Sequence, residues 1–335
     1  MIRLAGALML MALSISAVQA QSTPPSNALS DPSAPSDEAA IRSVSELLVK
    51  MSEHRRLLNY QGTFTHQDMI GTESFRLQHW VSEGTEYQRL YYLQGPEREA
   101  LISKGLDCRM MGEQLIANRA DQLATEFSRL EQFYNFRVLG ADRIAGRAAT
   151  VLHIVPRDAF RFGYLFSVDR ETGLVLKSIL LDDNQRPVEQ FQYVQLEVGL
   201  SPETFSDAQG AQISHRITAE DVAKCNPAVD DKPASWHLQW LPDGFAFSGQ
   251  RQIRDDVDML MYTDGLSTFS IFLDPVGGEV AIEARAQRGA TNFYLGGVRR
   301  AGQLYQLTVV GEVPASVAER VGQSVEAVTE PQPTG

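Results

Sequence analysis

The chain has 335 residues, with 30 Lys and Arg against 42 Asp and Glu, a formal net charge of −12. Such acidity argues against a nucleic-acid partner, which needs a basic face to release counterions from the phosphate backbone. The 43% share of apolar residues excludes wholesale disorder, and two cysteines exclude both a disulfide scaffold and a four-thiolate zinc site.

In chain order, residues 1–20 read as a secretory signal peptide: a positive start at Arg3, an apolar run, and the small-residue signal Val18-Gln19-Ala20, with cleavage expected after Ala20. The run is shorter than the roughly 20 residues a membrane span needs. Cleavage there would remove Arg3 and no acid, so the charge imbalance survives processing. Residues 21–37 are rich in Pro and Ser, cannot bury enough apolar surface to offset ordering, and are expected to be a disordered leader.

Structure is expected from residue 38. Val44, Leu47, Leu48, Met51 and Leu58 recur at helical spacing opposite Glu46 and Lys50, so one amphipathic helix opens the first domain, capped by Ser36 or Asp37. The period then becomes two. In ESFRLQHWV, Phe75, Leu77, His79 and Val81 share a face. In FRFGYLFSVD, Phe160, Phe162, Tyr164, Phe166 and Val168 lie opposite Arg161, Gly163, Leu165, Ser167 and Asp169. Turn signals at Thr172-Gly173 and Asp183-Asn184 separate two further strands, predicting an antiparallel meander and a first domain over 38–198.

Residues 199–235 form the predicted interdomain linker, and Cys225 lies within it. The exported compartment is oxidising, so Cys108 and Cys225 are either bridged or two free thiols. A second domain is expected over 236–328. It holds the hairpin MLMYTDGLSTFSIFL, strands near FYLGGV and LYQLTVVGEV, and a final helix begun by Pro314 and lined by Val317, Val321, Val325 and Val328. Residues 329–335 read as a disordered tail.

No nucleophile elbow, zinc-binding His pair, phosphate loop or dinucleotide fingerprint occurs, so no catalytic residue, metal ligand or cofactor is assigned. The six histidines are scattered, and His79, on an apolar strand face, reads as a hydrogen-bonded core histidine. Arg285, Arg288, Arg299 and Arg300 form the one basic concentration, either a solvated face or a contact for an acidic peptide or lipid phosphate. Phe75, Leu77, Val81, Phe162, Tyr164 and Phe166 form an apolar sheet face with two readings. It packs on the opening helix, or what the helix leaves uncovered forms a groove for an acyl chain or apolar peptide.

GPEREALI at 95–102, the long block 134–196 from YNFRVLGADRI to QFQYVQL, WLPDGF at 240–245, YTDGLSTFSIFL at 262–273 and VVGEVPASVAERV at 309–321 together resemble the RseB/MucB family of periplasmic sigma-E factor regulators. The resemblance implies an α+β protein: an N-terminal antiparallel half-barrel of the LolA/LolB type around helices, plus a smaller C-terminal α/β domain. It also implies a periplasmic, non-enzymatic negative regulator. Such a protein binds the periplasmic region of a membrane-spanning RseA/MucA-type anti-sigma factor, shields it from proteolysis, and releases it on binding lipid or lipopolysaccharide. The C-terminal domain and linker are the expected partner surface, and a homodimer is left open. A periplasmic lipid or lipoprotein carrier of the LolA type is the alternative. The Cys108 and Cys225 pair and the Pro/Ser leader depart from the family pattern.

Overall fold

A computed structural model describes residues 37–55, 57–82, 85–96, 98–103, 123, 126–205, 215–216, 235–254, 256–278 and 280–328. The expected signal peptide, all but the last residue of the leader, Cys108 and Cys225, most of the linker and the tail lie outside the described residues.

Helix α1 (Asp37–Arg55) opens the described chain and presents Val44, Leu48 and Met51, spaced four and three apart, as one buried stripe. Nine strands of the first sheet follow in sequence: β1 (Tyr60–Gln67), β2 (Thr72–Ser82), β3 (Thr85–Tyr92), β4 (Arg98–Ser103), β5 (Tyr134–Ile144), β6 (Arg147–Pro156), β7 (Gly163–Asp169), β8 (Val175–Leu181) and β9 (Pro187–Val198). With the two-residue β10 (His215–Arg216) they form a ten-stranded sheet in the order β10-β4-β3-β2-β1-β9-β8-β7-β6-β5. Two meanders are joined where β1 pairs antiparallel with β9. The sheet rolls far enough to bring β5 against β9.

Register places Phe166, Ser178, Phe191, Phe64 and Phe75 on one face. That face carries two apolar clusters. One gathers the α1 stripe with Leu152, Ile154, Tyr164, Phe166 and Leu180, the other Tyr60, Phe64, Phe75, Leu77, Phe191 and Tyr193. His79 is fully buried in this sheet, its Nδ1 2.7 Å from the carbonyl of Leu58, its ring stacked on Tyr60. The meander fixes α1 through the turn after β7. Asp169 there accepts from the Thr172 amide and hydroxyl and from Arg147. Gly173, at φ +77°, lies against the backbone of Lys50.

The second sheet is built from β12 (Ala246–Arg254), β13 (Val257–Thr263), β14 (Thr268–Pro275), β15 (Ala284–Arg288), β16 (Thr291–Arg300) and β17 (Gln303–Gly311), in the order β12-β13-β14-β17-β16-β15 and antiparallel throughout. Helix α2 (Ala315–Gln323) packs Val317, Ala318 and Val321 on one face of it. A small pair, β11 (Trp236–Leu238) with β18 (Val325–Ala327), closes the same core.

Two details differ from the sequence expectation. The final helix stops at Gln323, where Ser324 caps it, and Val325 belongs to β18 instead of continuing the helical stripe. The strand expected from Phe160 starts at Gly163, because 157–162 is a loop that sends Phe160 into the C-terminal core beside Trp240.

Candidate functional site

The two sheets meet through the turn of the β13–β14 hairpin, the Asp-Gly turn visible in the sequence. Asp264 Oδ1 accepts from the amides of Leu266 and Ser267 at 2.8 and 2.7 Å, and Thr263 Oγ1 accepts from the Gly265 amide at 2.9 Å. One carboxylate oxygen thus shapes the turn, and the other is free to reach across. Asp264 Oδ2 accepts from Arg161 Nη1 and from the Tyr134 hydroxyl, both at 2.8 Å. The Arg161 and Asp264 side chains are each 0% exposed.

The guanidinium is satisfied on every side. Arg161 also pairs with Asp158 at 3.0 Å, donates to the carbonyl of Asp243, and lies among the rings of Phe133, Tyr134 and Phe245 at 5.0 to 5.4 Å. Burial, and next the Asp264 carboxylate, push the Tyr134 phenol well above its usual range, so it stays a donor. Arg129 adds hydrogen bonds to the carbonyls of Gly244 and Asp264 at 3.1 and 2.8 Å. Gly244, at φ +86°, lies so close to Phe133 that a Cβ would fall 2.7 Å from its ring.

A second contact is made by the turn between β15 and β16. Gly289 sits against Asp68 and Glu189, and Ala290, 1% exposed, enters the N-terminal core. Behind it His66 Nε2 lies 2.7 Å from Glu189 Oε1, and that hydrogen bond, helped by the charges of Glu189, Asp68 and Glu73, raises the His66 pKa. Between the two contacts is a cleft of about 590 Å³. Phe162, Arg186 and Val188 line it from the N-terminal sheet, and Gln287, Asn292 and Ser316 line it from the C-terminal side.

Of the apolar residues singled out in the sequence, Phe75, Leu77, Val81, Tyr164 and Phe166 fall on the inner face of the first sheet, which is covered, and Phe162 ends the loop before β7. Phe75 and Leu77 are 3% exposed within one cluster, Phe162, Tyr164 and Phe166 are at most 3% exposed within the other, and Val81 is half-buried. The four arginines are dispersed. Arg285 is held in a two-pronged pair by Glu319 of α2, Arg288 faces Asp68, and Arg300 lies 5.7 Å over the Trp236 ring. Arg299, which donates to the carbonyl of Gly302, and Arg300 end the same strand that Arg288 precedes, roughly 30 Å away at about 3.3 Å per residue.

The sequence reading missed Arg161, Tyr134 and Arg129. Arg161 was expected on the polar side of a strand, and nothing local to 161 marks its partner 103 positions later. The only available signal was the Asp-Gly turn, which shows that a hairpin exists and not where it docks.

Residues 43–217 match the family model of the MucB/RseB N-terminal domain, and residues 230–326 match that of the MucB/RseB C-terminal domain. The sigma factor AlgU regulatory protein MucB of Pseudomonas aeruginosa is 33% identical over 306 residues, covering 87% of this chain and 92% of that protein. Among solved structures, MucB in complex with MucA(peri) is 31% identical and superposes with a TM-score of 0.68 over 86% of this chain and all of the other. MucB alone is 30% identical and gives 0.58 over 86% of this chain and 98% of the other. With both halves matched by family models and the two-sheet arrangement shared, the chain belongs to the MucB/RseB family.

Proposed function

We propose that this protein is a periplasmic negative regulator of an envelope-stress sigma factor. It binds the periplasmic region of a membrane-spanning anti-sigma factor, shields that region from proteolysis, and lets go when a lipid or lipopolysaccharide binds. The carrying observation is family membership along nearly the whole described chain, in a family whose solved structures include MucB in complex with MucA(peri). The signal-peptide pattern of residues 1–20 supports export.

The architecture supports a binding protein whose two halves are coupled. Release by an amphiphile requires an arrangement with lower affinity for the partner, since a ligand shifts an equilibrium only by its differential affinity for the two states. In the present arrangement the inner apolar face is covered. An acyl chain therefore reaches Phe75, Leu77, Val81, Tyr164 or Phe166 only by displacing what packs on them, whereas Phe162 lines the cleft.

The test is direct. The mature protein is mixed with the purified periplasmic region of its anti-sigma factor, and cleavage of that region by a site-specific protease is followed with and without lipopolysaccharide. A stable complex with slowed cleavage, reversed by lipopolysaccharide, is expected. Absence of a complex, or cleavage at the unprotected rate, would sink the proposal.

A further inference from the structure

Three carboxylates and one imidazole converge on the second contact between the sheets. Register sets His66 of β1 directly across from Glu73 of β2, Glu189 comes from β9, and Asp68 from the β1–β2 turn. The opposite wall is the turn between β15 and β16, where Gly289, at φ +57°, offers no side chain and Ala290 is 1% exposed. A Cβ on Gly289 would lie 3.4 Å from Asp68 Cβ and 3.6 Å from Glu189 Oε2. Among the described residues, the turn lends neither acid a hydrogen bond. Asp68 Oδ1 accepts from the amides of Ile70 and Gly71 in its own turn, and Gln287 donates to the carbonyl of Gly289.

Cover without a donor makes the countercharge decisive. A carboxylate drawn partly out of water needs hydrogen bonds or an opposite charge, and for Glu189 that partner is His66, with Nε2 2.7 Å from Oε1 and the two side chains 22% and 23% exposed. A protonated His66 neutralises Glu189 under the turn. A neutral His66 leaves Glu189 and Asp68 as like charges there. Arg288 faces Asp68 from the C-terminal side, but it is exposed, as is Glu73, so water screens both.

We propose that His66 and Glu189 form a proton-operated latch: protonated His66 holds the β15–β16 turn against the N-terminal sheet, and loss of that proton frees the turn while Arg161 and Asp264 keep the other contact closed. Gln287 and Asn292, on either side of this turn, line the cleft, so releasing the turn opens the cleft from one side. The sign follows from linkage. The Glu189 hydrogen bond, against the opposing effect of burial and helped by the charges of Glu189, Asp68 and Glu73, holds the His66 pKa above 6.5. Docking is therefore favoured in full below 6.5, and the advantage is lost as pH rises through the docked value.

The test alkylates the mature protein carrying Ala290→Cys with iodoacetamide under native conditions. Modification is read by mass spectrometry in the tryptic fragment 289–299, apart from Cys108 and Cys225, and each rate is normalised to the same thiol in unfolded protein at that pH. Between about pH 5.5 and 8.5 the normalised rate should rise roughly three- to tenfold, tenfold being what one pKa unit transmits. Adding His66→Gln, neutral throughout, should give fast and flat labelling, and His66→Arg, charged throughout, slow and flat labelling. Leu266→Cys, buried at the Asp-Gly turn, should be labelled about tenfold more slowly at every pH, because local openings differ in free energy and that contact stays closed. No rise with pH in the protein that keeps His66, or the same rise with His66→Gln, overturns the latch. Equal labelling at 266 and 290 overturns it too, since the whole junction would then be opening. The measurement uses the protein alone, so its outcome is separate from that of the proposed function.

Discussion

Arg161 and Asp264 are charges with no access to water, so each is tolerable only because the other is there. Removing one partner of a buried pair leaves an uncompensated charge and costs about 3–5 kcal/mol, whereas replacing both with apolar residues of similar volume is often near neutral. Arg161→Met is therefore expected to destabilise the junction by about that amount, read from the half that opens first in urea, and Arg161→Met combined with Asp264→Leu should recover much of the loss. A double variant as unstable as the sum of the singles would show that hydrogen bonds to Tyr134, Asp243 and the turn amides matter more than the pair. His66 supplies a pH dependence of known sign. Its folded pKa is raised above 6.5 by the Glu189 hydrogen bond, so its stabilisation is complete below 6.5 and is lost as pH rises through the folded value. Stability measured from about pH 6 to 9 should fall over that window, and His66→Gln should flatten the fall.

At the scale of elements, two close approaches position the parts that matter. Gly173 lets the turn after β7 meet the last turns of α1, where a Cβ would lie 2.5 Å from the Lys50 carbonyl oxygen. Its φ of +77° adds a left-handed strain of about 1–2 kcal/mol for any L side chain. Gly173→Ala should thus lower the urea midpoint and loosen α1, detectable as faster amide exchange over residues 44–51. Val321 of α2 is fully buried against the C-terminal sheet. Val321→Ala should cost about 1–3 kcal/mol by loss of buried methyl groups and the cavity left behind, and the cleft beside the start of α2 would be the first region to loosen.

For the whole molecule, the two sheets share cores. Leu266 and Ala290 come from the C-terminal sheet and are buried in the N-terminal cluster, while Phe160 makes the reverse crossing. Shared buried residues couple unfolding. Wild-type protein is expected to unfold in one transition by both fluorescence and circular dichroism, and Arg161→Met to separate the probes into two. Coincident transitions in that variant would mean that apolar contacts alone hold the halves together. The acidic surface makes no large contribution to this junction, because its central pair is buried and poorly screened.

Much of this was legible from the residues in order. The period of two in ESFRLQHWV and FGYLFSVD, with turn residues at 171–173 and 182–184, specified the β7–β8–β9 meander, because alternation and turn chemistry are local. The α1 stripe of Val44, Leu48 and Met51 was equally local. Val325 misled for the same reason: its spacing continues a helix, but pairing of β18 with β11 wins once Trp236 is in place. The apolar residues Phe75, Leu77, Phe162, Tyr164 and Phe166 were recognisable as one face, while their covered state depends on what packs over them.

Sequence by itself therefore determined the element types, the α+β class, the acidic balance and the family resemblance, all of which rest on residues a few positions apart or on contiguous motifs. Only the tertiary structure decided that Arg161 meets Asp264 and that the arginines of 285–300 are scattered by a hairpin. These depend on strand pairing and docking between positions tens to more than a hundred residues apart. Such contacts are selected by burial and charge satisfaction of the whole chain, and no local pattern encodes them.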